Sequence, residues 1–343
     1  MAREKRVIEM TTGSLWKNIL FFSLPLMLSQ LLEVLFNLSD VAVAGKFADY
    51  KALGAVGSTT LLVSLFTGFL IGMGSGVNVC VAHRLGAGSE KGAAVTIHSS
   101  FVICTVTGLV LGAAGITFAQ PLLSLLHTKD ELIGGAVLYL KIYSLGMPAM
   151  AIYNFGNGVL SACGETKRPL LYLTVAGVLN VILNLFFVIV CRMAADGVAI
   201  ASVISQYLSS VLIVRHLLCR RDTCRLHLSR GYLDRRACEN VLSLGIPSGL
   251  QNAIFAIANL FVQTGVNSFD AVLVSGNSAA ANADTIIFNV MAAFHTGCAS
   301  FISQNLGAGN RDRVLKSYFV GLTYSFAAGA LLGVISGLLK SSF

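Results

Sequence analysis

Two acids stand where an apolar chain has little reason to carry them. Glu33 and Asp40 fall inside a run from Leu15 to Gly45 that is otherwise mostly Leu, Val, Phe, Met and Ala. Together with Gln30 and Asn37 they occupy positions i, i+3, i+7 and i+10, which stacks all four along one helix face. A charge at hydrocarbon depth costs about 2.5–3.5 kcal/mol on insertion scales, so it normally faces a cavity or a partner. The stripe therefore suggests the wall of a wet cleft. A carboxylate in that setting can take up a proton, coordinate Na+ or pair with an organic cation. Helix cross-linking by hydrogen bonds, worth about 0.6–2 kcal/mol each, is the other use for such groups. That use serves Gln30 and Asn37 equally well, but it does not need the charge of Asp40 or Glu33.

A second polar pair, Asn180 and Asn184, lies at i, i+4 in the run Leu170–Cys191 and offers amide oxygens on one face. The run that holds Asn252, Asn259 and Gln263 contains no acid, so the two parts of the chain are chemically unequal. Pro25, Pro148 and Pro247 each sit in an apolar run, where a missing N–H bends a helix. Pro25, just ahead of the acidic stripe, is the candidate gating element. Lys141 falls within the run Leu132–Leu160, and its long stem can carry the ammonium out to the interface.

The elements that hold these groups follow from composition. Of 343 residues, 55% are hydrophobic and 12% charged. A soluble domain carries about 25% charge, so lipid must solvate much of this surface. At about 20 apolar residues per crossing, nine spans are predicted: Leu15–Gly45, Leu53–Ala82, Ala93–Ala119, Leu132–Leu160, Leu170–Cys191, Val198–Leu218, Val241–Ser268, Val272–Ser303 and Val314–Leu339. The runs show no period-2 alternation, which argues against a barrel and for an all-α polytopic transmembrane bundle. The first run is too long for a signal-peptide core and reads as a retained span. Eighteen of the 24 Lys and Arg fall on the side of the N-terminus and five on the opposite side. That bias places the N-terminus in the cytoplasm. The net charge of +8 thus expresses topology, not nucleic-acid binding. The stretch Arg215–Arg236 reads as a solvated linker within reach of membrane lipid.

No catalytic signature is present: no P-loop, G-x-S-x-G or H-E-x-x-H occurs. The chain is not expected to be an enzyme or to hold a cofactor. The eight cysteines include no C-x-x-C pair, and most behave as small apolar groups. Cys219 and Cys224, near His216 and His227, match no standard zinc spacing.

Arg84-Leu85-Gly86-Ala87-Gly88 recurs as Asn305-Leu306-Gly307-Ala308-Gly309, 221 residues on, and Ser23-Leu24-Pro25 matches Gly245-Ile246-Pro247. Two landmarks at nearly one offset predict a parallel repeat of about six helices. The first bundle is expected over 1–232 and a partial second bundle of three helices over 233–343. Symmetry calls for six helices in the second, so the sequence reads as lacking about three of an expected twelve. A bundle of that kind would self-associate or recruit the missing fragment.

Asn37-x-x-Asp40-x4-Gly45, Arg84–Gly88, Tyr153-Asn154-Phe155-Gly156, Gly164-Glu165-Thr166-Lys167-Arg168-Pro169, Asn180-Val181-Ile182-Leu183-Asn184 and Gly249-Leu250-Gln251 resemble, in order, the multidrug and toxic compound extrusion (MATE) family. The resemblance implies two six-helix bundles and alternating access. It further implies Na+- or H+-driven antiport of organic cations across the bacterial plasma (inner) membrane. The family's first-helix acid maps onto Asp40, and its fifth-helix polar positions map onto Asn180 and Asn184. Departures are Asn184 for an acid used by some members, Phe255 for a seventh-helix Glu, Glu33 for a more usual Gln, and Ser161 and Glu165 for the usual Arg and Asp. A lipid-linked saccharide flippase of related fold and a transport-dead remnant are the alternative readings.

Overall fold

The computed structural model describes residues 8–48, 50–126, 128–266 and 271–340. All regular structure among them is helical: α1 (Leu15–Phe47), α2 (Tyr50–Gly86), α3 (Glu90–Leu125), α4 (Asp130–Ser144), α5 (Met147–Ala162), α6 (Lys167–Leu185), α7 (Ala195–Cys219), α8 (Arg235–Val266), α9 (Ala271–Gly307) and α10 (Arg311–Lys340). Only helices satisfy every backbone group within one segment, which is what lipid demands of a spanning chain without a closed sheet. Among the described residues, eight helices are long and apolar enough to cross a membrane, and nine when the bent pair α4/α5 counts as one span. The protein is thus a multi-pass membrane protein. Arg3, Lys5, Arg6, Ser268 and 341–343 lie outside the described residues, as do the side chains of Gln263, Val272 and Lys340.

The expected continuous span Leu132–Leu160 is corrected to two helices meeting at 45°. Pro148 explains the break. It enters in the first turn of α5, where its missing N–H would be unpaired anyway, and so starts a helix instead of distorting one. The expected fifth span is α6 followed by a π-helical turn, Phe186–Val190.

The repeated sequence motif turns out to be a helix terminator. Gly88 (φ +66°) and Gly309 (φ +72°) both adopt the left-handed conformation that only glycine enters freely. Around each, the chain closes the same two hydrogen bonds. Gly88 N donates to Leu85 O and Ser89 N to Arg84 O; Gly309 N donates to Leu306 O and Asn310 N to Asn305 O. This is the Schellman arrangement, which satisfies carbonyls that a helix end would otherwise orphan. α2 and α9 are each 37 residues long, and both their ends are displaced by 221 residues.

Helices α8–α10 pack on α1–α7 along a seam rich in glycine. A Cβ added to Gly76 would come within 2.6 Å of the Gly245 nitrogen, and one added to Gly72 would collide with the backbone of Gly249. The symmetric contact sets Gly297 of α9 against Ser23 of α1. Near the seam's centre Asn78 Nδ2 donates to Ser300 Oγ at 2.8 Å, both buried. Asn252 Nδ2 reaches Gly68 O at 3.0 Å. The segment preceding α1 straps the same end of the molecule. Arg313 donates to the carbonyls of Met10, Thr12 and Gly13, while Ile8 N donates to Gly164 O.

Beside that strap, the stretch expected as solvated linker is partly buried, which corrects the sequence reading. The side chain of Arg220 is 8% exposed; it bonds Glu165 at 2.6 Å and Asp222 at 2.5 Å. Arg168 completes the cluster, 2.6 Å from Glu165. Cys224 is joined to Cys163 by a disulfide across 61 residues, tying the α7–α8 connection to the α5–α6 turn. Burial, the largest influence on Glu165, opposes its ionisation. Hydrogen bonds from His216 and Arg220, with the charges of Arg168 and Arg220, outweigh it and hold the carboxyl below its ordinary 4.5.

Two tests follow from this packing. Gly72→Leu overpacks the seam and is expected to cost about 1–3 kcal/mol, read as a lower thermal midpoint of the detergent-solubilised protein; an unchanged midpoint would mean the helices do not approach closely there. Glu165→Gln addresses the ion cluster. Because the folded acid is the stronger one, its stabilisation is present above pH 4.5 and fades as pH falls through the lower folded value. Wild type should therefore melt above the variant at neutral pH, with the gap closing on acidification.

Candidate functional site

A cavity of about 320 Å³ lies among α1, α2, α4, α5, α6 and α7. Its wall includes Glu33, Asn37 and Asp40 from α1, Asn180 from α6, and Ser202, Ser205, Gln206 and Ser209 from α7. Tyr139, Tyr143 and Tyr153 add aromatic faces, and Val56, Val63, Ile71 and Leu173 add apolar ones. No Lys, Arg or His belongs to this wall. Among the described residues, no ion pair involves Glu33 or Asp40.

Asp40 is 9% exposed. Asn184 Nδ2 donates to its Oδ1 at 2.5 Å, and Ser202 Oγ donates to its Oδ2 at 3.2 Å. Behind these, Asn184 Nδ2 also lies 3.2 Å from Asn180 Oδ1, and Asn180 Nδ2 donates to Ser202 Oγ at 3.3 Å. Three helices thus converge on one carboxylate. The i, i+4 spacing of Asn180 and Asn184 on α6 stacks the two amides, so that both can face α1 and α7. Asn184 Oδ1 is buried and has no hydrogen-bond partner. The amide turns its N–H toward the acid because its oxygen would be repelled there. Besides these amide N–H groups the point gathers oxygens, those of Asp40, Asn180 Oδ1 and Ser202 Oγ, the ligand type that suits a hard cation.

The other residues singled out in the sequence divide. Glu33 and Asn37 line the cavity with Asp40. Gln30 does not belong to the wall, and its Oε1 is buried without a partner. Pro25 is buried inside an uninterrupted α1, and its carbonyl accepts from Ser29 Oγ at 3.0 Å. Lys141 is exposed and apart from the cavity. Phe255 is 53% exposed and approaches Phe288. Among the described residues, no group of three or more His, Cys, Asp or Glu could hold a metal ion.

Ser202 and the tyrosines were not singled out in the sequence. A signal existed. Ser202, Ser205, Gln206 and Ser209 fall at i, i+3, i+4 and i+7 within an apolar run, and Tyr139 and Tyr143 at i, i+4. Hydroxyls satisfy themselves on their own helix, as Ser205 does on Ala201 O, so they attract less notice than a charge.

A bundle of apolar spans enclosing a polar, acid-bearing cavity is the construction of a secondary transporter. The profile of the MatE family matches residues 25–186 and 247–341, and the chain belongs to this family of multidrug efflux transporters. It is 31% identical over 313 residues to the probable multidrug resistance protein YpnP of Bacillus subtilis, covering 90% of this chain and 69% of that one. It is 24% identical to the FAD transporter of Shewanella oneidensis, covering 92% and 70% respectively. The fold is similar to a solved outward-facing conformation of a multidrug resistance MATE family transporter. That likeness has a TM-score of 0.91 at 21% identity and covers 99% of this chain and 76% of that one.

Proposed function

We propose that this efflux transporter is a cation-coupled antiporter that exports organic cations by alternating access, with Asp40 as the coupling carboxylate. One observation carries the reading: a buried acid opens on a cavity and is held only by neutral donors from α6 and α7. A fixed base would neutralise the acid permanently. Amide and hydroxyl donors leave its charge available to a visiting cation.

Na+ at this point would draw on Asp40, Asn180 Oδ1 and Ser202 Oγ. It would also favour rotation of the Asn184 amide, giving the orphaned Oδ1 a partner. A proton on Asp40 would remove the charge outright. Either event weakens the hold on a cationic substrate in the same cavity, and by linkage the substrate weakens the hold on the ion. Pro25, in the helix that carries Asp40, serves as the flexible point on this reading.

The 18-to-5 distribution of Lys and Arg supports a cytoplasmic N-terminus in a bacterial plasma membrane. The strap and glycine seam would then close the cytoplasmic face. The displaced ends of α2 and α9 support reading 1–232 and 233–343 as paired bundles. The name of the Shewanella relative indicates an anionic cargo. Two acids and no base in the wall of this cavity favour cations instead, and the same contrast weighs against a pyrophosphate-binding flippase.

Asp40→Asn tests the assignment in everted membrane vesicles. Uptake of a fluorescent organic cation driven by an imposed Na+ or pH gradient should fall to the level of vesicles without the protein. Transport of undiminished rate and gradient dependence would remove Asp40 from the coupling step.

A further inference from the structure

The cavity holds a second carboxylate that the coupling reading leaves without a task. Glu33 lies on α1 seven residues before Asp40, and both belong to the cavity wall. Seven residues of α-helix rise about 10.5 Å and complete almost two turns, so the two acids share a face at that separation. The distance is too great for one metal ion, whose oxygen ligands lie about 2.0–2.6 Å away.

The wall between and around the acids suits an organic chain. Phe36, Tyr143 and Tyr153 present rings, and Ile71 and Leu173 present apolar surface. Rings of this kind attract quaternary ammonium groups through their electron-rich faces. Tyr153 has its hydroxyl committed to the Pro169 carbonyl at 3.1 Å, which fixes the ring beside the cavity. No basic side chain in the wall can neutralise either acid.

From this arrangement we infer that the cavity selects elongated dications, substrates with two cationic groups separated by about the Glu33–Asp40 rise of 10 Å and joined by an apolar linker. Asp40 receives one positive end and Glu33 the other. A monocation engages only one of the acids and leaves the second uncompensated. The inference rests on the proposed binding of cationic substrates in this cavity. It does not require Asp40 to be the coupling group.

The test is equilibrium binding to the purified full chain in detergent, with no ion gradient. Tetramethylammonium, hexamethonium and decamethonium are each titrated as competitors of a fluorescent cation. Wild type should bind one of the bis-quaternary ions about tenfold or more tightly than tetramethylammonium, a modest return for a second charge contact in a partly wet site. In Glu33→Gln that ratio should fall toward unity, and in Glu33→Asp, which keeps the charge, most of it should return. Elution of each variant as a folded species is checked by gel filtration.

A ratio unaltered in Glu33→Gln, or dication and monocation weakened in equal proportion, overturns the inference. Failure of every cation to bind wild type overturns both this inference and the substrate class proposed above. A collapsed ratio in Glu33→Gln with tetramethylammonium binding retained would uphold the dication site whatever group couples transport, because this binding is measured without a gradient.

Discussion

The structure is organised around a carboxylate that no base among the described residues answers. Asp40 is buried among apolar helices, and its charge is met by one amide and one hydroxyl. Removing an acid from water without a counter-charge is costly, and neutral hydrogen bonds recover only part of the loss. The arrangement makes sense when the site is used intermittently by something positive. It also dictates local packing. α6 must present Asn180 and Asn184 on one face and α7 must present Ser202, and both must close on α1 at the same depth. Small residues allow that approach: a Cβ on Gly177 of α6 would strike the ring of Phe36 on α1.

Much of this was legible in the sequence, for physical reasons that can be named. Lipid imposes long apolar runs, so the spans announce themselves. An acid inside such a run is conspicuous because it is expensive, and the spacing of Glu33 and Asp40 fixes their common face. The repeat was legible because a Schellman turn requires glycine at one position, so Gly88 and Gly309 are held in place by backbone geometry. What stayed hidden depends on relations between segments. Periodicity shows which residues share a helix face, but not which helix lies opposite. Hence Ser202 was passed over, although it completes the Asp40 site. The pairing of Cys163 with Cys224 joins two connections across the intervening α6 and α7, a relation that cysteine spacing does not reveal. The bend at Pro148 was legible, but not that one helix ends there: a proline in an apolar run can bend one helix or begin the next, and composition alone does not choose.

The seam within the bundle and the strap at its end obey different rules. Where α8 and α9 meet α1 and α2, backbones touch through Gly72, Gly76, Gly245 and Gly249, and side-chain hydrogen bonds such as Asn78–Ser300 are few and buried. Without water in the hydrocarbon, apolar burial contributes little between helices. Close backbone approach and dispersion do the holding. At the end of the bundle that carries the strap, water returns and ionic contacts take over. Arg313 gathers three carbonyls of the segment before α1, and Glu165 gathers Arg168 and Arg220. The seam fixes how closely the helices can lie, and the Ile8–Gly164 bond ties the segment before α1 to the turn that holds Glu165.

α1 joins these two regimes. Its first half meets α9, with Ser23 against Gly297 and Phe22 edge-on to Phe301, and its second half carries Glu33, Asn37 and Asp40 into the cavity. Pro25 lies between, and close to it Thr166 Oγ1 donates to the Phe22 carbonyl at 3.1 Å, linking the Glu165 turn to the same helix. A ligand can shift a conformational equilibrium only by as much as its affinity differs between the two states. Among the described residues, every wall residue belongs to α1–α7, so a cation in the cavity meets none of the described side chains of α8 and α9. Its influence on the seam must therefore pass through a helix that belongs to both regions. α2 meets that condition as one continuous helix of 37 residues, lining the cavity with Thr59 and Val63 and the seam with Gly72 and Gly76. α1 meets it with a proline between its two roles. On the proposed reading, exchange of charge at Asp40 and release of the seam are adjacent along one helix, with Pro25 where the two tasks divide.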